Sequence, residues 1–412
     1  MIVQIHKFQN NKYVLLFAMC FALALSMISF AIWPIFLVQF RDIWILNNTE
    51  IGWISGSYFI GYLIFTPIFV GLTDKIDSKW IFLYASLTTI TGCLGLTFFT
   101  NGFWSACIFF SIIGAGLAGT YMPGLQVLNT RLNIEDRVKF TPWYTSFFGI
   151  GNGLSFAIIG YIFSNYNWEI ACIISIISSI LACLIIIFLI DNKNPDKFNF
   201  SKRHFLDFRP AFKNQEALSY IFSYGVHTFE LFAYRAWIFA LMVWMVKRDN
   251  IVLDTTILSS IISIIMFCGM VSSLIGAKLC LDYGRKKILI IIGLSTFLIS
   301  IIGSILISIN FWFFVFIIAT LNIFIMMDSG SLTAGTVSAS KDNERGAILA
   351  VHTLSGFGFG AISGPVVGYI LDISGGSDSS FSWSLAFLAM GFGSLLVMII
   401  QLTLNNNKTQ KI

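Results

Sequence analysis

The sequence is poor in charge. Charged residues make up 11% of the 412 residues and hydrophobic residues 57%, whereas about a quarter of a typical soluble domain is charged. A soluble enzyme or a stacked soluble repeat protein needs polar faces that this composition does not supply. The scarcity of charge therefore excludes most soluble classes of protein.

Residues that carry redox, metal or nucleophilic chemistry are scarce as well. The seven cysteines are scattered without paired spacing, and the four histidines lack the spacing of metal ligands. No nucleophile–base pair, histidine box or Asp-rich phosphate motif is present. We therefore expect neither a disulfide framework nor a metal site, no cofactor, and no enzymatic activity.

Long apolar runs recur through the whole chain. Each is about 20 residues long, enough for a helix to cross about 30 Å of hydrocarbon. This pattern predicts an all-α polytopic membrane protein. The twelve predicted spans cover residues 13–40, 51–73, 80–99, 103–130, 141–163, 168–190, 218–246, 255–281, 286–307, 310–338, 345–371 and 381–404.

Basic residues predict the orientation. An even number of spans puts both termini on one side, and the loops on that side hold nearly all the Lys and Arg residues. The other side has only Arg41, Lys247 and Arg248. The positive-inside rule then predicts cytoplasmic termini. The net charge of +5 reflects this topology, so no nucleic-acid partner is expected.

The two halves of the chain repeat each other. Gly61, Asp74 and Lys79 in the first half have counterparts in Gly269, Asp282 and Lys287. The glycine run that begins at Gly149 is echoed by one that begins at Gly356. Such a duplication predicts two six-helix bundles that move around a central site. We expect bundles at 1–190 and 218–412, joined by a polar cytoplasmic linker at 191–217.

Six plus six spans, with an acidic–basic loop after spans 2 and 8, resemble the major facilitator superfamily over the full chain. The first loop fits the family's signature at Asp74, Lys75 and Lys79, although Val70 stands at its glycine position. The second copy lacks one residue but fits at Asp282, Gly284, Arg285, Lys286 and Lys287. The resemblance implies the family's fold and a gating role for these loops.

The physical reason for such a role lies in the helix dipole. A carboxylate such as Asp74 or Asp282 can accept hydrogen bonds from the positive beginning of a neighbouring helix. The basic residues Lys75, Lys79, Arg285 and Lys286 can then pair with carboxylates or lipid phosphates. The alternative is that they are ordinary positive-inside anchors.

Glycines predict close helix packing. The residues concerned are Gly114, Gly116, Gly149, Gly153, Gly360 and Gly364, with Pro365 beside the last. The Gly-Pro pair that the family's antiporters carry in span 5 is absent, because no proline lies between Gly149 and Gly160. This absence favours uptake over export. The arginine that the family has in span 4 is replaced by Phe110.

Ionisable residues within the membrane are the best pointers to a site, because burying them unpaired is costly. They are Glu230 and Arg235 in span 7 and Asp328 in span 10. Span 7 also places His227, Tyr234 and Trp237 at helical spacing. We predict a substrate and proton site here. The alternative is a structural pair of Arg235 with Glu230 or Asp328.

The first half offers no ionised counterpart at this depth. Tyr121 in span 4 corresponds to the position of Asp328, and Tyr121 and Asn152 are predicted to line the cavity. His352 at the beginning of span 11 is either a proton relay or a lining residue.

These observations predict a monomeric secondary transporter in a bacterial inner membrane. It moves a small polar solute, such as a carboxylate or zwitterion, by alternating access with proton-coupled uptake. Proton-driven efflux is the main alternative. A channel is less favoured, because charge is concentrated on one or two helices.

Overall fold

The computed structural model describes residues 11–193, 208–341 and 344–404, and these residues form helices and no strands. The segment 194–207, most of the predicted linker, lies outside the described residues. The linker's end forms the short helix Arg209–Lys213. Twelve helical segments are long and apolar enough to cross a membrane: Lys12–Trp44, Asn48–Leu72, Ser78–Phe99, Phe103–Arg131, Ile134–Asn165, Trp168–Leu189, Gln215–Arg248, Thr255–Tyr283, Arg285–Ile305, Phe311–Ser338, Arg345–Ile373 and Ser380–Thr403.

These segments are numbered spans 1 to 12. They confirm the predicted fold class, and most ends lie within a few residues of the prediction. Span 5 differs most, beginning at Ile134 rather than residue 141. Its first turns carry Glu135, Asp136 and Arg137, so they extend the helix beyond the apolar run. Asn133 caps this helix by accepting a hydrogen bond from the amide of Asp136 at 2.8 Å.

Four spans are interrupted. Span 1 consists of the helices Lys12–Ser26 and Ile32–Trp44 around a 3₁₀ turn, Ile28–Ala31. Span 12 breaks at Gly391. Span 4 breaks at Tyr121, between Phe103–Thr120 and Met122–Arg131, where Pro123 lacks an amide hydrogen. Span 10 breaks at Asp328, between Phe311–Met327 and Ser329–Ser338.

The chain divides into two compact units. One comprises residues 1–46, 57–199 and 253–267, and the other residues 47–56, 200–252 and 268–412. The units exchange two helix ends. The beginning of span 2 belongs to the second unit, and the beginning of span 8 belongs to the first. The boundaries at 190 and 218 stay predictions.

Glycines lie at the closest helix contacts within each unit. In the first unit, a Cβ atom on Gly114 would be 1.8 Å from the carbonyl oxygen of Tyr58, and one on Gly116 would be 1.9 Å from Thr89 Oγ1. In the second unit, a Cβ on Gly360 would be 2.6 Å from the Phe232 ring. Gly364 approaches the backbone of Gly52 in the same way. A side chain at these positions would push two helices apart.

Candidate functional site

A histidine–aspartate contact lies in the interior of the second unit. His227 comes from the middle of span 7, and Asp328 from the break in span 10. His227 Nδ1 lies 2.7 Å from Asp328 Oδ1, and the two side chains are 1% and 4% exposed. Both atoms are fully buried and lack the alignment of a hydrogen bond. The contact is therefore a close, buried polar pair.

The break in span 10 explains the position of this aspartate. Asp328 ends one helix and begins the next, with φ −89° and ψ −19°. Its backbone carbonyl accepts the amide of Leu332 at 2.9 Å, so the second helix starts at once. The Ser329-Gly330-Ser331 sequence that follows consists of weak helix formers. Asp328 is thus held at the junction of two short helices.

Arg235 is a buried cation on span 7. It is 4% exposed, and its Nε and Nη1 atoms have no hydrogen-bond partner among the described residues. No described carboxylate lies within salt-bridge distance of it. Its guanidinium carbon lies 5.8 Å from the centre of the Phe232 ring. The structure therefore contains neither the predicted Glu230–Arg235 pair nor the Asp328–Arg235 pair.

Glu230 has a different environment from His227. Its Oε1 accepts the amide of Ser394 at 2.5 Å, and its Oε2 accepts the Ser394 hydroxyl at 2.7 Å. Ser394 belongs to span 12, so Glu230 is hydrogen-bonded to span 12, whereas His227 contacts Asp328 of span 10. The single polar face that spacing predicts for span 7 is divided between several neighbouring spans.

Tyr234 and Trp237 use their polar atoms on the backbone. The Tyr234 hydroxyl donates to the carbonyl of Ile318 at 3.3 Å, and Trp237 Nε1 donates to that of Gly364 at 3.0 Å. Both side chains are essentially buried. These bonds fix span 7 against spans 10 and 11.

A second histidine joins the cluster through an aromatic ring. The His352 ring of span 11 is stacked on Tyr224, with centroids 3.8 Å apart and planes 16° apart. Tyr224 also faces His227, at 6.0 Å and 26°. His352 Nδ1 lies 3.0 Å from Thr336 Oγ1, and Nε2 lies 3.4 Å from Thr333 Oγ1. Spans 7, 10 and 11 thus converge on one polar cluster.

The predicted cavity residues Asn152 and Tyr121 belong to the first unit. Asn152 is completely buried, and neither polar atom of its side chain has a hydrogen-bond partner among the described residues. Tyr121 is partly exposed and lies 4.8 Å from the Phe148 ring. The Tyr144 hydroxyl bonds the carbonyl oxygens of Thr120 and Tyr121, at 3.0 Å and 2.9 Å. It thereby ties span 5 to the backbone at the break in span 4.

In the loop after span 2, Asp77 makes the polar contacts, whereas the sequence analysis favoured Asp74. Asp77 Oδ1 accepts the amide of Lys79. Its Oδ2 accepts Arg131 Nη2 and the amide of Lys193, both at 2.7 Å. Asp74 is exposed. The gating role of Asp74 stays a prediction, but the polar junction of this conformation is built on Asp77.

Of the two predicted basic residues in this loop, Lys79 caps a helix end. Lys79 Nζ donates to the carbonyl of Ile190 at 2.5 Å, just beyond the last residue of span 6. Cations are favourable there, because the carbonyl end of a helix carries partial negative charge. Lys75 is exposed.

The corresponding loop of the second half is simpler. Arg285 donates to the hydroxyl of Ser338 at 2.8 Å and lies over the Tyr220 ring. Asp282 is exposed at the end of span 8, and Lys286 is partly exposed. The two loops that look alike in sequence make different contacts.

Two carboxylates that the sequence analysis missed bind helix beginnings on the side opposite the termini. Asp372 of span 11 accepts the amides of Asn48 and Thr49, at 3.0 Å and 2.8 Å, and both of their side chains, at 2.8 Å and 2.6 Å. Asp254 accepts the amide of Thr256 at 2.7 Å and the hydroxyl of Ser164 at 2.6 Å. The sequence signal for these contacts was a capping sequence at a helix start, Asn48-Thr49 in one case and Asp254-Thr255-Thr256 in the other.

The chain belongs to the Major Facilitator Superfamily, whose family model matches residues 14–354. This membership identifies a membrane transporter rather than an enzyme. The niacin transporter NiaP of Acinetobacter baylyi is 26% identical over 143 residues, which cover 35% of this chain and 32% of NiaP. The match therefore spans less than half of that relative.

Solved transporter structures share the fold over nearly the whole chain. The D-xylose–proton symporter has a TM-score of 0.76 at 12% identity, covering 95% of this chain and 97% of its own. A bacterial homologue of the human lysosomal transporter Spinster, inward-facing and unoccupied, scores 0.73 at 12%, covering 97% and 99%. The nucleoside transporter NupG scores 0.72 at 15%, covering 96% and 99%. At such identities the likeness concerns the fold alone.

Proposed function

We propose that this protein is a secondary active transporter that takes up a small organic carboxylate or zwitterion together with protons, by alternating access. The observation that carries the proposal is the buried guanidinium of Arg235, which has no described carboxylate partner. A cation in the membrane interior is costly unless an anion meets it. A carboxylate solute would supply that anion during part of the cycle.

The geometry of arginine suits this role. Its planar guanidinium presents donors in a fork that matches a carboxylate. The Phe232 ring beside it would pack on an apolar part of the solute. Niacin is an aromatic carboxylate, so the resemblance to NiaP supports the same class of solute.

Proton coupling would use the His227–Asp328 pair. A buried carboxylate next to an imidazole can hold one proton between the two groups and release it when water reaches them. Glu230 is less suited, because both of its oxygens already accept bonds from Ser394. The D-xylose–proton symporter, which has the same fold, supports a proton as the coupling ion.

The test is uptake by the full-length protein in liposomes, with radiolabelled nicotinate as the first probe and acid imposed outside. We expect accumulation that needs the gradient and is lost in Arg235→Gln, with partial activity in Arg235→Lys. Lys247→Gln is the matched control, because Lys247 is largely exposed. If Arg235→Gln transports every carboxylate that the unmodified protein transports, at the full rate, the solute assignment is wrong.

If nicotinate is not carried, a panel of carboxylates and amino acids screened by thermal stabilisation of the purified protein identifies the solute. Solute that leaves only while protons enter would indicate the alternative, proton-driven efflux. Reporter fusions to both termini test the proposed cytoplasmic orientation in a bacterial inner membrane, and light scattering tests the proposed monomer.

A further inference from the structure

The contacts of Thr336 favour one tautomer of His352. Thr336 Oγ1 lies 3.1 Å from the carbonyl of Leu332, the usual acceptor for a threonine hydroxyl within a helix. When its single hydrogen is used there, the same oxygen, 3.0 Å from His352 Nδ1, accepts from an Nδ1–H group. In the neutral ring Nε2 then has the free lone pair. His352 is therefore arranged as a proton acceptor at Nε2.

That nitrogen faces the exposed side of span 10. Its neighbour at 3.4 Å is the hydroxyl of Thr333, an exposed residue, whereas the His352 side chain itself is buried. Thr336, on the other side of the imidazole, is completely buried. The ring thus lies between an exposed hydroxyl and the interior.

One aromatic ring links this histidine to the buried pair. Tyr224 is in stacking contact with His352 and faces His227 from the same cluster. His227 Nε2 is fully buried and has no hydrogen-bond partner among the described residues. The titratable groups of this cluster on the helices packed against His352 are Tyr224 and His227 of span 7, with Asp328 of span 10 in contact with His227.

We propose that His352 is the group through which protons enter and leave the His227–Asp328 pair, and that Thr336 is the positioning residue that holds its ring. A proton from water near Thr333 binds the lone pair of Nε2 and gives an imidazolium. It then passes through an intervening water to His227 Nε2, and His352 returns to its neutral form. This inference rests on the proton coupling of the proposed function.

The tautomer is tested first, without any solute. Nitrogen NMR of ¹⁵N-histidine-labelled full-length protein resolves four residues, and His352→Gln and His227→Gln assign two of them. We expect a neutral His352 ring with hydrogen on Nδ1, lost in Thr336→Val and kept in Thr336→Ser. Hydrogen on Nε2 in the unmodified protein would overturn the arrangement.

The transfer role is tested in liposomes with nicotinate as probe. The quantity measured is the rate of gradient-driven uptake divided by the rate of counterflow. Gradient-driven uptake needs protons to enter and leave the pair, whereas counterflow at equal pH exchanges solute without net proton movement. We expect His352→Gln to lower this ratio roughly 100-fold, within the range of a lost acid–base group. Thr336→Val should lower it less, and Thr336→Ser should restore it. Thr320→Val, on an exposed hydroxyl of the same span, is the control.

An unchanged ratio in His352→Gln, with gradient-driven uptake intact in the unmodified protein, would overturn the role of His352 alone. If the unmodified protein exchanges nicotinate but does not respond to the gradient, proton coupling itself fails. The two failures are therefore distinguishable.

Discussion

Spans 4 and 10 occupy corresponding places in the two halves and break at corresponding points, yet the breaks are filled differently. The break at Tyr121 lies among aromatic rings, and the Tyr144 hydroxyl donates to the carbonyl oxygens of Thr120 and Tyr121. The break at Asp328 holds a carboxylate against His227. A helix break thus holds aromatic packing in one half and a pair of ionisable side chains in the other. The loops after spans 2 and 8 diverge in the same way.

The largest effect is expected at the loop of the first half. Asp77→Ala would leave the buried guanidinium of Arg131 without its carboxylate, and breaking a buried pair costs about 3–5 kcal/mol. Ser338→Ala, which removes the partner of Arg285 in the second half, should have little effect. Thermal unfolding in detergent measures both.

Asp74→Ala is the matched control in the first loop, because Asp74 is exposed. It should leave stability unchanged. The gating prediction for Asp74 requires a change in transport rate or in the balance of conformers, and it is wrong if neither changes. A destabilisation by Asp74→Ala as large as that of Asp77→Ala would contradict the assignment of the junction to Asp77.

At the breaks themselves, Asp328→Asn should reduce gradient-driven uptake roughly 100-fold, because the amide cannot take up and release a proton. Tyr121→Phe should change it little. Glu230→Gln can keep both contacts with Ser394 and should retain coupling. Loss of coupling in Glu230→Gln together with full coupling in Asp328→Asn would return the proton site to Glu230.

Asp372 and Asp254 each bind the beginning of a helix, but Asp372 makes more of its contacts with a different span. Asp372→Ala removes four hydrogen bonds from the start of span 2 and should cost about 2 kcal/mol, the upper range for a helix cap. Asp254→Ala should cost less. Thermal unfolding and cysteine accessibility at residue 49 measure the change, and equal effects would contradict the ranking.

Asp254 also predicts an acid response. The Ser164 hydroxyl, followed by the amide and hydroxyl of Thr256, lowers the pKa of Asp254 below its ordinary value of 3.8. Its stabilisation is therefore fully present above about pH 4 and is lost as the pH falls through the lowered pKa. Asp254→Asn should remove this part of the acid sensitivity.

The smallest effect is expected for Tyr144→Phe, which removes one hydroxyl from the break in span 4. The loss of this hydrogen bond should cost about 1 kcal/mol. Uptake should be retained, because no ionisable group is lost. A loss of coupling would mean that the break in the first half also takes part in proton chemistry.

The sequence was a good guide to the helices and a partial guide to the site. Span ends follow from the length of apolar runs, a local property. The pairing of Asp328 with His227 brings together residues on different helices, and no spacing within one helix encodes it. Glu230 and His227 shared a predicted face, but residues three apart still differ by about 60° around the helix, and here they contact different neighbouring spans.

The sequence by itself determined the twelve helices, the duplication and the ionisable residues of the membrane interior, because the hydrocarbon solvent imposes strict rules on composition. The tertiary structure decided which of those residues meet. It placed Asp77 rather than Asp74 at the polar junction, gave Glu230 to Ser394, and left Arg235 buried without a described carboxylate. These outcomes depend on the rotation and crossing of packed helices, which are set by contacts far apart in the chain.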